Sequence, residues 1–208
     1  MRHLFSGIDL SRGRAPEEFY TCLIEDPMKV EEWRASDGAH DHTIPSSNWC
    51  ALTCLRMILL LEGREAPSLE YLWERACAAG VYVLGAGNRG WIGAYHERLA
   101  SFIKEFGFDA INLKDLTMDL IAEALSSGNY VIPSVSPDIR YALDLEPRHT
   151  DGHMVLCYKY QIDEPGRMFT IQNSAGFASI GTQIGVPIPE ARFRQVFSGN
   201  AILVRSSL

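Results

Sequence analysis

The chain has 208 residues, of which 47% are apolar and 22% charged, and its 19 Lys and Arg stand against 26 Asp and Glu for a formal net charge of −7. That composition belongs to a globular protein and excludes a disordered chain, a collagen-like chain and a coiled coil. The acidic balance runs against a nucleic-acid-binding face and against attachment to anionic lipid.

Residues 1–41 read as an acidic N-terminal extension, and residues 1–45 carry nine acidic and five basic side chains. Pro16-Glu17-Glu18-Phe19-Tyr20 suits the opening of a short helix, because Pro and acids favour a first turn. Phe19, Tyr20 and Trp33 are its candidate anchors on the main domain. No continuous apolar region follows Met1, so a secretory signal is not expected. The longest apolar run, residues 57–61, is far short of the roughly 20 residues a membrane span requires.

Residues 42–208 are predicted to form one domain. Asn48 is a good N-cap and Gly63 a good stop for a helix that is apolar nearly all round, hence buried and central. Pro67-Ser68 opens a second helix over residues 69–79, which Gly80 ends. A Gly-rich loop over 81–91 is anchored by Trp91. Leu99, Phe102, Ile103 and Phe106 recur at helical spacing and predict a third helix over 92–106. A short strand over 110–113 and a helix over 116–126 follow. The period then changes. Residues 130–135 and 153–160 read as strands, and Asp163-Glu164-Pro165-Gly166 is the turn to a returning strand over 168–172. A helix over 189–197 and a strand over 201–204 complete the chain. Helices first and antiparallel strands later predict an α+β fold.

The five cysteines are Cys22, Cys50, Cys54, Cys77 and Cys157. An odd number without Cys-x-x-Cys spacing reads as reduced thiols in the cytoplasm and no structural zinc. His40-Asp41-His42 sends successive side chains to opposite faces and reads as a solvated loop. Gly85-x-Gly87-x-x-Gly90 matches a dinucleotide fingerprint as a string but lacks the βαβ setting, so it reads as a cleft-lining loop. Arg148-His149-Thr150-Asp151 reads as an exposed loop. No metal and no cofactor are expected.

Cys50 carries the chemical signal. Its predicted place is the first turn of the buried helix, where the helix N-terminus favours a thiolate and the backbone N–H groups are available to an oxyanion. A thiol nucleophile needs a base. His153 opens the best-defined strand, after Gly152. The base needs an orienting group, and Asn173 ends the neighbouring hairpin strand, 20 residues after His153. Cys54, Cys77 and Cys157 read as core thiols.

Cysteine at the start of a central helix, then Gly-His on a strand, then Asn at the end of the next strand, resembles the order of papain-like cysteine peptidases. Asn173-Ser174-x-Gly176 is similar to the segment around their asparagine. The Ile44-Pro45 segment, the helix from Cys50 to Met57, Gly90-Trp91, the strand 128–135 and Gly152–Leu156 resemble the bacteriocin-processing (double-glycine) branch. The chain departs from it at Ala51, where a Gly is usual, and at Ile44, where an oxyanion-donating Gln is usual. Asn48, Ser46 or Ser47 stand as replacements for that donor. The resemblance implies a papain-like fold, with a helical part packed on a small antiparallel sheet. It also implies acyl transfer by Cys50, His153 and Asn173 on a peptide or amide. Two alternatives stay open. One is an acyltransferase or cyclase of specialised metabolism, the other a catalytically silent peptide-binding module. Expected partners are a peptide or acyl substrate, including a leader peptide or a carrier-bound acyl group.

Overall fold

The structure is a computed structural model that describes residues 7–24, 27–29, 48–86, 90–141, 147, 150, 152–163 and 166–206. Trp33, His40-Asp41-His42, Ile44 to Ser47, Gly87, His149 and Asp151 lie outside the described residues.

The central helix α1 (Cys50–Leu61) buries Leu52, Leu55, Met57, Ile58 and Leu61 among its residues. Its N-cap is Trp49 rather than Asn48, and no side chain caps it. An indole carries only a donor and cannot accept from first-turn N–H groups. α2 (Leu69–Ala78) is capped by Ser68, whose hydroxyl oxygen accepts from the Tyr71 N–H at 3.2 Å. α3 (His96–Lys104) begins later than the periodicity predicts. The preceding residues form a two-stranded ribbon instead, β2 (Val83–Leu84) with β3 (Trp91–Ile92). Gly93 then passes so close to this ribbon that a Cβ would stand 2.6 Å from the Val81 carbonyl oxygen. After β4 (Phe108–Leu113), α4 (Met118–Ser126) is capped by Thr117, which accepts from the Leu120 N–H at 3.3 Å.

The second half is mostly strand: β5 (Tyr130–Val135), β6 (His153–Met154), β7 (Leu156–Asp163), β8 (Gly166–Gln172), β9 (Val186–Pro189) and, after α5 (Glu190–Val196), β10 (Phe197–Ser206). They pair antiparallel in the order β4-β10-β5-β7-β8-β9, with β6 on β5 and β1 (Ile8–Asp9) on β7. The strand predicted over 153–160 is broken at Val155. The final strand is longer than its apolar run because it is paired on both sides, to β4 and to β5. β9 contains Pro187 and Pro189, residues that an edge strand tolerates and that mask it in the sequence.

Alternation along β5 divides the core. Tyr130 and Ile132 join α1, α2 and α3 on one face of the sheet, while Val131 and Val135 join α4 and α5 on the other. The fold is therefore α+β, with a helical part against an antiparallel sheet. Each fully buried Leu, Ile, Val or Phe contributes about 1.5–3 kcal/mol.

The N-terminal segment shares this core. Ile8 is registered against Tyr160 and Asp9 against Lys159. Phe19 is buried edge-on against Tyr158, with ring centroids 5.1 Å apart. Glu62 at the end of α1 pairs with Arg12 at 2.6 Å and accepts from the Tyr130 hydroxyl at 2.8 Å. No helix among the described residues is long and apolar enough to cross a membrane.

Candidate active site

Two walls meet at a cavity of about 190 Å³. Cys50, the first residue of α1, lines it from the helical side. Ser134, His153 and Asn200 line it from the sheet, and Gly93, Ala94 and His96 close a third side.

The sheet wall follows from strand pairing. Val135 of β5 is registered against His153 of β6, and Leu156 of β7 against Gln172 of β8. This brings the start of β6 beside the end of β8. There His153 Nε2 lies 2.9 Å from Asn173 Oδ1, and the Ala175 N–H donates to the same oxygen at 3.2 Å. A backbone N–H can only donate, so it fixes which end of the Asn173 amide faces the ring. An amide oxygen can only accept, so in the neutral imidazole Nε2 carries the proton and Nδ1 the lone pair. His153 is 4% exposed and Asn173 fully buried. The Asn173 N–H donates to the Gln183 carbonyl at 2.8 Å. Gly152, with φ of 99°, takes the left-handed conformation that lets the chain enter β6.

The helical wall is less enclosed. Cys50 is half-buried, and its carbonyl accepts from the Thr53 hydroxyl at 2.7 Å. With Trp49 as N-cap, no side chain occupies the first-turn N–H groups as a cap. Asn48 sits in the turn before α1 and does not line the cavity. Burial sets three of the other four thiols apart. It pushes Cys54 well above the ordinary thiol value, raises Cys77, and takes Cys157 up to about 12.

Arg140 ends the 3-10 turn Pro137–Arg140 after β5 and is 8% exposed. Its Nε donates to the Pro137 carbonyl at 2.7 Å. Burial lowers its pKa first, against which Tyr141, Asp138 and a Cys50 thiolate act in the opposite sense. A buried cation thus stands within electrostatic reach of the Cys50 sulfur. His96 is held below the ordinary imidazole range, by burial first and by Lys114 second. Ser134, Asn200, His96 and Arg140 were not singled out by the sequence. Ser134 carries the one readable signal, a polar residue inside the apolar strand Tyr130–Val135. The others reach the site through tertiary pairing. Among the described residues, no group of three or more His, Cys, Asp or Glu is placed to hold a metal ion.

The sequence matches no protein-family model and no curated protein. The fold does have a solved counterpart. A Bacillus anthracis crystal structure, provisionally described as a C39-like peptidase, superposes with a TM-score of 0.57 over 97% of this chain and 100% of that one, at 16% identity. At that identity the likeness is one of fold alone, and it fits an α+β, papain-like arrangement.

Proposed function

We propose that this chain is a thiol acyl-transfer enzyme of the cysteine peptidase type, acting on a peptide or amide bond. The observation that carries the reading is the His153–Asn173 hydrogen bond of 2.9 Å at the edge of a cavity that Cys50 also lines. Cys50 is the nucleophile. Its sulfur attacks the substrate carbonyl as its proton passes to His153 Nδ1. The oxyanion is held by backbone N–H groups of the first turn of α1. Asn200, which lines the cavity, is the side-chain amide placed as a further donor. Collapse of the tetrahedral intermediate expels the amine, which leaves with the proton from His153. A thioester remains on Cys50. His153 then deprotonates a water, which hydrolyses the thioester and frees the thiol. Asn173 keeps the imidazole in the tautomer whose lone pair is on Nδ1. The field of the helix N-terminus and the Arg140 guanidinium both act in favour of the thiolate.

The test is mass spectrometry of the intact protein mixed with peptide and thioester substrates. A transient acyl group on Cys50, released by water and absent in Cys50→Ala, is the expected result. An acyl group that forms and is released only to an added amine or thiol favours the second reading, an acyltransferase or cyclase. That reading draws on Ile44, which stands where the resembled peptidases carry an oxyanion-donating Gln. No acyl adduct on any substrate, with peptide binding retained, leaves the binding module.

A further inference from the structure

We propose that residues 16–23 are a strap that fixes the two walls of the cleft relative to one another, with Tyr20 as a positioning residue for Asn173. The inference rests on the reading of Cys50, His153 and Asn173 as the reacting set. Four contacts tie the strap to the sheet wall at the one place where the orienting amide sits. Gln172 Nε2 donates to the Pro16 carbonyl at 2.6 Å. The Tyr20 hydroxyl donates to the Asn173 carbonyl at 3.2 Å. The Ser174 carbonyl accepts from the Leu23 N–H at 3.3 Å and from the Cys22 thiol at 3.5 Å. Three consecutive residues, Gln172 to Ser174, are thereby held by a segment roughly 150 positions away in sequence.

The same strap reaches the other wall. Arg56, on α1 with Cys50, donates from Nη1 to the Thr21 hydroxyl at 3.0 Å, and its Nε holds the Pro67 carbonyl at 3.0 Å. Phe19 is buried beside α1 in the helical core. Tyr20 and Thr21, adjacent in the chain, therefore bond to opposite sides of the cleft. Burial, then Cys22, pushes the Tyr20 pKa up, so the hydroxyl stays protonated and remains a donor at any working pH. The strap does not touch the reacting atoms. It acts by holding Asn173 where its amide oxygen meets the ring.

The test reads the His153 imidazole directly by 15N NMR, beside the rate of Cys50 alkylation by iodoacetamide, in the wild type, Tyr20→Phe, Asn173→Ala and the double variant. Tyr20→Phe keeps the ring and removes one hydrogen bond. It is expected to move the imidazole tautomer population toward that of Asn173→Ala and to slow Cys50 alkylation about three- to tenfold. It is expected to do nothing further in the Asn173→Ala background. An unchanged tautomer and rate in Tyr20→Phe overturns the strap, as does an equal effect with and without Asn173. The imidazole signal does not depend on Cys50 being reactive. An unreactive wild-type Cys50 therefore refutes the catalytic reading, while the imidazole signals still support or overturn the strap. Should Tyr20→Phe fail to fold, Thr21→Val with Cys22→Ala loosens the same strap. It is read by the same imidazole signals, with the same expected shift and the same contrary result.

Discussion

The two walls of the cleft are built to different rules. On the sheet wall, Gln172, Asn173 and Ser174 are almost wholly buried, and His153 is 4% exposed. Most of their polar groups are tied to Gln183, Ala175, Gly185, Pro16 and the Tyr20–Leu23 segment, while Asn173 Nδ2 and Ser174 Oγ are buried without a hydrogen-bond partner among the described residues. On the helical wall, Cys50 is half-buried at a helix start with no side-chain cap. On the proposed reading a base and its orienting amide need a fixed geometry, and strand pairing supplies one to His153 and Asn173. On the same reading Cys50 must be reached by substrate, which its half-buried place at the start of α1 allows. Geometry and access are assigned to opposite sides.

The contrast is tested most severely by separating activity from stability. Cys50→Ala should abolish turnover, a loss on the order of 10³-fold or more, while leaving stability within about 1 kcal/mol of wild type. His153→Ala should cost activity on the same scale. A Cys50→Ala protein that retains turnover removes the helical wall from the chemistry. Asn173→Ala should lower kcat about 100-fold and also destabilise by roughly 1–3 kcal/mol, because the His153 ring and the Ala175 N–H lose a buried acceptor. Chemical denaturation beside kinetics reads both losses. A large loss of activity with no loss of stability would show that the sheet wall is not over-determined.

A smaller effect falls on the buried Arg140 guanidinium. Arg140→Met should slow Cys50 alkylation near neutral pH several-fold, about the effect of one charge at partly screened range. An unchanged rate would remove Arg140 from the site. The smallest concerns His96. Its folded pKa is lowered, by burial first and by Lys114 second, below the ordinary 6.5. As pH falls through 6.5 the unfolded chain takes the proton first. The folded state then loses stability until pH passes its lower folded value. His96→Gln should flatten the melting temperature over that window, and Lys114→Met should narrow the window. A melting temperature with the same pH dependence in all three proteins contradicts this placement.

Much of the scaffold was legible in the sequence because its signals are local. Ser68 and Gly80 frame α2, and the apolar circumference of residues 50–61 marks a central helix. The turn residues Glu164-Pro165 lie outside the described residues, but the strands on either side, β7 and β8, pair as the sequence predicts. What was hidden depends on partners distant in the chain. Ile8–Asp9 is too short to signal a strand and exists because β7 offers it Lys159 and Tyr160. β9 is disguised by two prolines. Asn48 has the chemistry of a cap, yet the chain places Trp49 there. Of the cavity residues, Cys50 and His153 carried readable local patterns. His96, Asn200 and the nearby Arg140 did not, since nothing near them in sequence says which wall they will face.

For Cys50 to be the nucleophile, its sulfur must differ from the other four. Mass-resolved labelling of the folded protein with iodoacetamide at neutral pH compares them in a single sample. Cys50 is predicted to be alkylated at least about ten times faster than the partly exposed Cys77. His153→Ala is predicted to remove the difference. If Cys50 reacts no faster than Cys77, or its rate is indifferent to His153, the proposed nucleophile–base pair is contradicted.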